Sequence, residues 1–166
     1  MKISAQKLDQ RILNFIQEYS EKPSSDAVFQ SLAFQIFCYQ FENNEHYRNF
    51  CLLEQKTPKN LTTWKEIPAM PTVGFKELVL ASFPLKRRLK IFRTSGTGQA
   101  NRGAHFFDTL KLYEASILPP FKKYLLSDGA RLNYFFLMHS PKSAPDCHGG
   151  LRGEGLAAPG DPPRRQ

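Results

Sequence analysis

Apolar residues recur along this chain at intervals that alternate between helical and extended spacing. Over residues 3–20, Leu8, Ile12, Phe15, Ile16 and Tyr19 follow one another at steps of four, three, one and three. That spacing gathers them on one side of a helix, and Ser4 stands where an N-cap belongs. Glu21 to Ser25 is a linker, because Pro23 stops the helix from running on. A second helix is predicted over 26–42, capped by Ser25 or Asp26, with Phe29, Ala33, Ile36, Phe37 and Gln40 on a shared face. Asn43-Asn44 breaks it, and a third helix over 45–54 carries Tyr47, Phe50 and Cys51.

The pattern then loosens. Lys56 to Asn60 reads as a polar loop, and Pro68 and Pro71 impose an extended path on residues 64–71. Thr72 is placed to cap a short helix through Phe75, Leu78 and Val79, closed by Ser82-Phe83-Pro84. Residues 88–93 and 104–107 read as two strands around a loop at 94–103. A further helix follows, capped by Asp108 or Thr109, with Leu110, Tyr113, Ile117, Leu118, Phe121 and Leu125 on one side. Pro119-Pro120 predicts a kink there, or two helical pieces. After a turn at 127–129, the continuous apolar run 132–138 reads as a strand covered on both faces. Residues 140–166 hold five of the 12 prolines and half of the ten glycines, with no apolar period, which predicts a disordered tail. The division expected is a domain over 1–139 and a tail over 140–166. A sheet ending at a buried strand leaves an edge to cover, so the chain reads as a fragment, or its tail as not the sequence that normally follows.

Composition narrows this picture. A chain of 166 residues with 41% hydrophobic positions can build a core. No apolar run is long enough to span a bilayer, and the N-terminus lacks the apolar region of a signal peptide, so a cytoplasmic location is expected. Cys38, Cys51 and Cys147 form no paired spacing suited to zinc or a disulfide framework. Cys38 and Cys51 read as small buried hydrophobes. The neighbouring pair Cys147-His148 has the chemistry of an activated thiol but a Pro/Gly-rich setting.

The net charge is +8, densest at Lys86-Arg87-Arg88, with Lys90 and Arg93 close behind. The plain reading is a solvated strand edge. The sharper one is a positive field around the loop that follows.

That loop carries the candidate chemistry. In Arg93-Thr94-Ser95-Gly96-Thr97-Gly98-Gln99, hydroxyls and glycines sit together beside a cation. Gly96 and Gly98 let backbone amides converge on an anion. Thr94, Ser95 and Thr97 add hydroxyl donors, and Arg93 and Arg102 add charge. An ordinary turn favours the same residues. A Walker A loop is excluded: after Gly98 to Gly103, Ala104 and His105 stand where Lys and Ser/Thr are needed. A dinucleotide fingerprint fails for want of a third glycine opening a helix.

The loop resembles the Ser/Thr-Ser-Gly-Thr-Thr-Gly signature of adenylate-forming enzymes. Around it, Phe37 to Asn44, Tyr47 to Cys51, Trp64 to Pro71, Phe75-Lys76 and the helix beginning with Asp108 and Tyr113 resemble the N-terminal region of LuxE-type acyl-protein synthetases. The likeness covers roughly residues 28–140. Gly98 stands where the signature has Thr, and Gln99 where it has Gly.

The resemblance implies an α/β fold: the N-terminal part of an adenylate-forming domain, with helices, a β-hairpin phosphate loop, a helix and a buried strand. It also implies that Thr94, Ser95, Gly96, Thr97 and Gly98, with Arg102, grip the phosphates of ATP, with Mg²⁺ present. The implied substrate is a long-chain fatty acid, activated as its adenylate, passed to a protein thiol and handed to a partner acyl reductase. The family's adenine contacts, lid lysine and acceptor cysteine lie beyond this region, so this chain is expected to be inactive alone and its catalytic residues are not assigned. A different reading is a non-enzymatic basic module that binds an acidic partner or nucleic acid through residues 86–93, although no nucleic-acid motif is present.

Overall fold

The computed structural model describes residues 3–94 and 102–127. Among them are five α-helices and two antiparallel strands, a mixed and helix-dominated α/β arrangement. Helix α1 spans Ala5–Tyr19, α2 Asp26–Asn43, α3 Glu45–Leu53, α4 Gly74–Glu77 and α5 Lys111–Leu125. Strand β1 spans Lys90–Arg93 and β2 Ala104–Phe107.

Local chemistry starts the first three helices. The Ser4 hydroxyl accepts the Lys7 N–H at 3.4 Å, and the Ser25 hydroxyl accepts the Val28 N–H at 3.3 Å. Ser25, rather than Asp26, is therefore the cap of α2; Asp26 opens the helix and accepts the Trp64 indole N–H at 3.1 Å. Asn44 closes α2 with its own N–H to the Gln40 carbonyl and caps α3 through its side chain, 3.1 Å from the Tyr47 N–H. One residue thus ends one helix and starts the next. α3 ends where Gln55 takes a φ of 55°, a left-handed turn that glycine more often supplies.

The helical part packs around Phe37, Tyr47 and Cys51, all buried, with Phe34, Phe41, Phe50, Leu61, Ile67 and Met70 against them. The Tyr47 hydroxyl donates to the Pro68 carbonyl at 2.7 Å, which ties the extended 67–71 stretch to this core. The expected extended path begins with a 3₁₀ turn at Trp64–Glu66. Glu66 accepts the N–H groups of Thr62 and Thr63 at 2.7 and 2.9 Å and makes that turn.

A second aromatic cluster holds the sheet. Lys90 pairs with Phe107, Ile91 with Phe106, Phe92 with His105 and Arg93 with Ala104. Residues directly opposite share a face, so Phe92, His105 and Phe107 point the same way. Phe92 is fully buried, 5.1 Å from the Phe107 ring and 5.2 Å from the Tyr113 ring of α5. Phe75 of α4 stacks on His105 at 4.7 Å. Leu89 is 64% exposed, and Phe92 is the anchor of the strand. The large rings of α5 decide which face is covered.

Helix α5 runs as one element through Pro119 and Pro120 rather than as two pieces. It starts at Lys111, whose N–H reaches the Thr109 hydroxyl at 3.3 Å, while Asp108 instead faces Arg87 at 3.4 Å. The predicted strand at 132–138, most of the turn at 127–129, the boundary at 139–140 and the tail lie outside the described residues. Among the described residues, no helix is long and apolar enough to cross a membrane.

Candidate functional site

The two strands bring the ends of the Ser/Thr/Gly loop together, and Thr94 is the clamp. Its N–H donates to the Gly103 carbonyl at 2.9 Å. Its hydroxyl accepts the Gly103 N–H, also at 2.9 Å. Its carbonyl accepts the Arg102 Nε–H at 2.7 Å. Three hydrogen bonds therefore converge on one residue at the neck of the hairpin. A hydroxyl that accepts one bond still carries an O–H to donate, so the clamp leaves Thr94 chemically able to meet an anion.

Gly103 is buried at this neck. A methyl group added there would sit 3.2 Å from Thr94 Oγ1, 3.3 Å from Thr94 Cγ2 and 3.4 Å from the Phe75 carbonyl oxygen. The close approach of the Thr94 side chain thus leaves little room for a Cβ at this position. Gly103 and Phe75 belong to the site as its supports, and sequence reasoning did not assign them that role. The only sequence signal was a glycine placed just before the returning strand.

Of the residues expected to bind phosphate, Thr94 and Arg102 meet at the neck. Ser95, Gly96, Thr97 and Gly98 lie outside the described residues. Arg102 is exposed, with its guanidinium tethered through Nε; Arg93, also exposed, ends the opposite strand. Hydroxyl and guanidinium donors at one end of a hairpin suit an anion such as a phosphate chain. Among the described residues, no group of three or more His, Cys, Asp or Glu is placed to hold a metal.

The thiols are placed elsewhere. Cys51 is fully buried and Cys38 half-buried, and burial pushes both thiols above their ordinary pKa. That is the opposite of what a nucleophile needs. Cys147 lies outside the described residues. Two surface grooves, of about 270 and 430 Å³, run along α1 and α2, and neither is lined by hairpin residues. Arg11 borders both and donates to the Gln35 side chain.

No model of a protein family, no curated protein and no solved structure matches the chain.

Proposed function

We propose that this chain supplies the triphosphate grip of an ATP-dependent acyl-activating enzyme of the adenylate-forming type. In that reaction a fatty-acid carboxylate attacks the α-phosphorus of ATP. Acyl-adenylate forms and pyrophosphate leaves; a protein thiolate then takes the acyl group and releases AMP. The part given to residues 94–102 is to hold the β- and γ-phosphates and neutralise the departing charge.

The reading is carried by the clamped hairpin neck. The Thr94–Gly103 pairing, with Arg102 bound to the same threonine, gives the hydroxyl-rich bend fixed ends and a cation. Thr94 and Arg102 are donors already held by hydrogen bonds, and donors fixed beforehand bind an anion without a reorganisation cost at the moment of reaction.

Calorimetric titration of the full chain with Mg-ATP and with pyrophosphate tests it. Both should bind. Arg102→Ala should weaken both by about tenfold or more, since a hydrogen bond to a charged group is worth ~1.5–3 kcal/mol. Arg102→Lys should recover part of the affinity. A folded wild-type chain that takes up neither ligand would remove the basis for the assignment.

A further inference from the structure

The segment just before the hairpin forms a projecting ridge. Every residue from Pro84 to Leu89 is exposed. The ridge is nevertheless held firmly. The Arg87 N–H donates to the Pro84 carbonyl at 2.8 Å, and the Arg88 N–H to the Leu85 carbonyl at 3.1 Å, within a short 3₁₀ turn. The Leu89 N–H donates to the Phe107 carbonyl at 2.7 Å, and the Arg87 guanidinium meets the Asp108 carboxylate at 3.4 Å. The C-terminal half of the ridge is therefore fastened to β2 and to the residue just after it.

Two kinds of side chain project from it. Lys86 and Arg88 are exposed cations, with half-buried Lys90 next along; among the described residues Arg87 alone of this group has an ion-pair partner. Beside the cations stand Leu85, 38% exposed, and Leu89, 64% exposed. We propose that the Leu85–Leu89 ridge docks on the surface of an anionic phospholipid bilayer, with Lys86 and Arg88 at the headgroups and Leu85 and Leu89 entering the interface.

The interleaving selects this occupant. A nucleic acid would use the cations and leave the leucines in water. A second copy of the chain would bring a like charge of +8 to a basic surface. A bilayer interface accepts both components, because long basic side chains keep their charge at the phosphates while apolar neighbours sink below them. The rigid backbone means that little ordering is lost on contact.

Co-sedimentation with phosphatidylcholine vesicles, and with phosphatidylcholine vesicles containing phosphatidylserine, tests the proposal. The full chain should bind the anionic vesicles alone, and added salt should release it. The pair Lys86→Ala and Arg88→Ala should weaken partitioning by roughly 25-fold, about fivefold for each cation. The pair Leu85→Ala and Leu89→Ala should weaken it by roughly five- to tenfold through lost apolar insertion. All four positions are exposed, and a thermal melt of each variant establishes that it is folded. An added indole in Leu89→Trp should move its fluorescence to shorter wavelength on anionic vesicles. No binding to anionic vesicles by the wild-type chain overturns the proposal. So does unchanged binding of the leucine variant, the result expected of a plain polyanion site suited to nucleic acid.

Discussion

At the scale of single residues, Gly103 and Thr94 are the most constrained positions of the hairpin. Gly103→Ala would press a methyl group against the Thr94 side chain, which its hydrogen bond from the Gly103 N–H holds in place. Overpacking of this kind costs ~1–3 kcal/mol, which a urea melt will read directly. Thr94→Ala should also destabilise, by ~1–3 kcal/mol, because the part-buried Gly103 N–H loses its side-chain acceptor. Thr94→Ser keeps the hydroxyl and should retain most of that stability; equal loss in both variants would show that the methyl group, not the hydroxyl, closes the neck. Glu66 adds a pH signature. The backbone N–H groups of Thr63 and Thr62, then the Thr62 hydroxyl, hold its carboxyl down to about 2. A lowered folded pKa means that its contribution is complete above the ordinary carboxylate range and disappears as pH falls toward 2. The stability gap between wild type and Glu66→Gln should therefore close on acidification. Thr94 and Arg102 were legible as candidates because hydroxyl, glycine and cation clustered in the sequence. The role of Gly103 was not, because the crowding comes from the Thr94 side chain, which is adjacent to it only across the folded hairpin.

At the scale of elements, the three N-terminal helices were readable from apolar spacing, from the caps Ser4 and Ser25 and from the break at Asn43-Asn44, since Ser4, Ser25 and Asn44 each act on an amide three residues away. Signals that local survive in a bare sequence. The 3₁₀ turn at Trp64–Glu66 was harder to see: Glu66 folds back on Thr62 and Thr63 where the prolines suggested a straight path. Helix α5 departs furthest from expectation, because Pro119 and Pro120 remove two backbone donors yet the helix continues to Leu125. Its aromatic face, with Tyr113 against Phe92 and Phe107, supplies packing that propensity cannot weigh. Tertiary contact thus keeps in place a helix that its own sequence weakens. Replacing both prolines with alanine should then stabilise the protein. Two missing helical hydrogen bonds and two ring clashes are removed, each proline costing ~3 kcal/mol in a helix interior, against ~0.4–1 kcal/mol returned to the unfolded chain at each site. A net gain on the order of 2 kcal/mol or more, seen as a raised melting temperature, is expected from Pro119→Ala with Pro120→Ala. A lowered one would mean that the prolines shape α5 to its partners.

At the scale of the whole molecule, two aromatic clusters must be joined: one around Phe37 and Tyr47, the other around Phe92 and Phe107. Helix α1 touches both α2 and α5, and the Tyr39 hydroxyl of α2 donates to the Ser82 carbonyl at 3.3 Å, close to the ridge. None of these joints shows in the sequence, since each links positions far apart in the chain. Asp9 of α1 sits in this junction, and its carboxyl is pushed above the ordinary range. Burial is the main cause, the like charge of Asp108 the second, and Lys111 of α5 opposes both. A raised folded pKa means that the native state holds the Asp9 proton more tightly than the unfolded chain does. Nothing is lost at pH below the ordinary carboxylate value, and stability falls as pH rises through the folded one. The charged form at neutral pH is therefore a cost to the assembly of the two halves, opposite in sign to the effect of Glu66. Asp9→Asn is neutral at every pH and fills the same space. It should raise the melting temperature at pH 7 and match wild type in acid, where both side chains are uncharged. Because Glu66 is present in both proteins, its own titration cancels in the difference. If Asp9→Asn instead melted lower at pH 7, the attraction to Lys111 would be the stronger term, and the junction would be held by charge rather than strained by it.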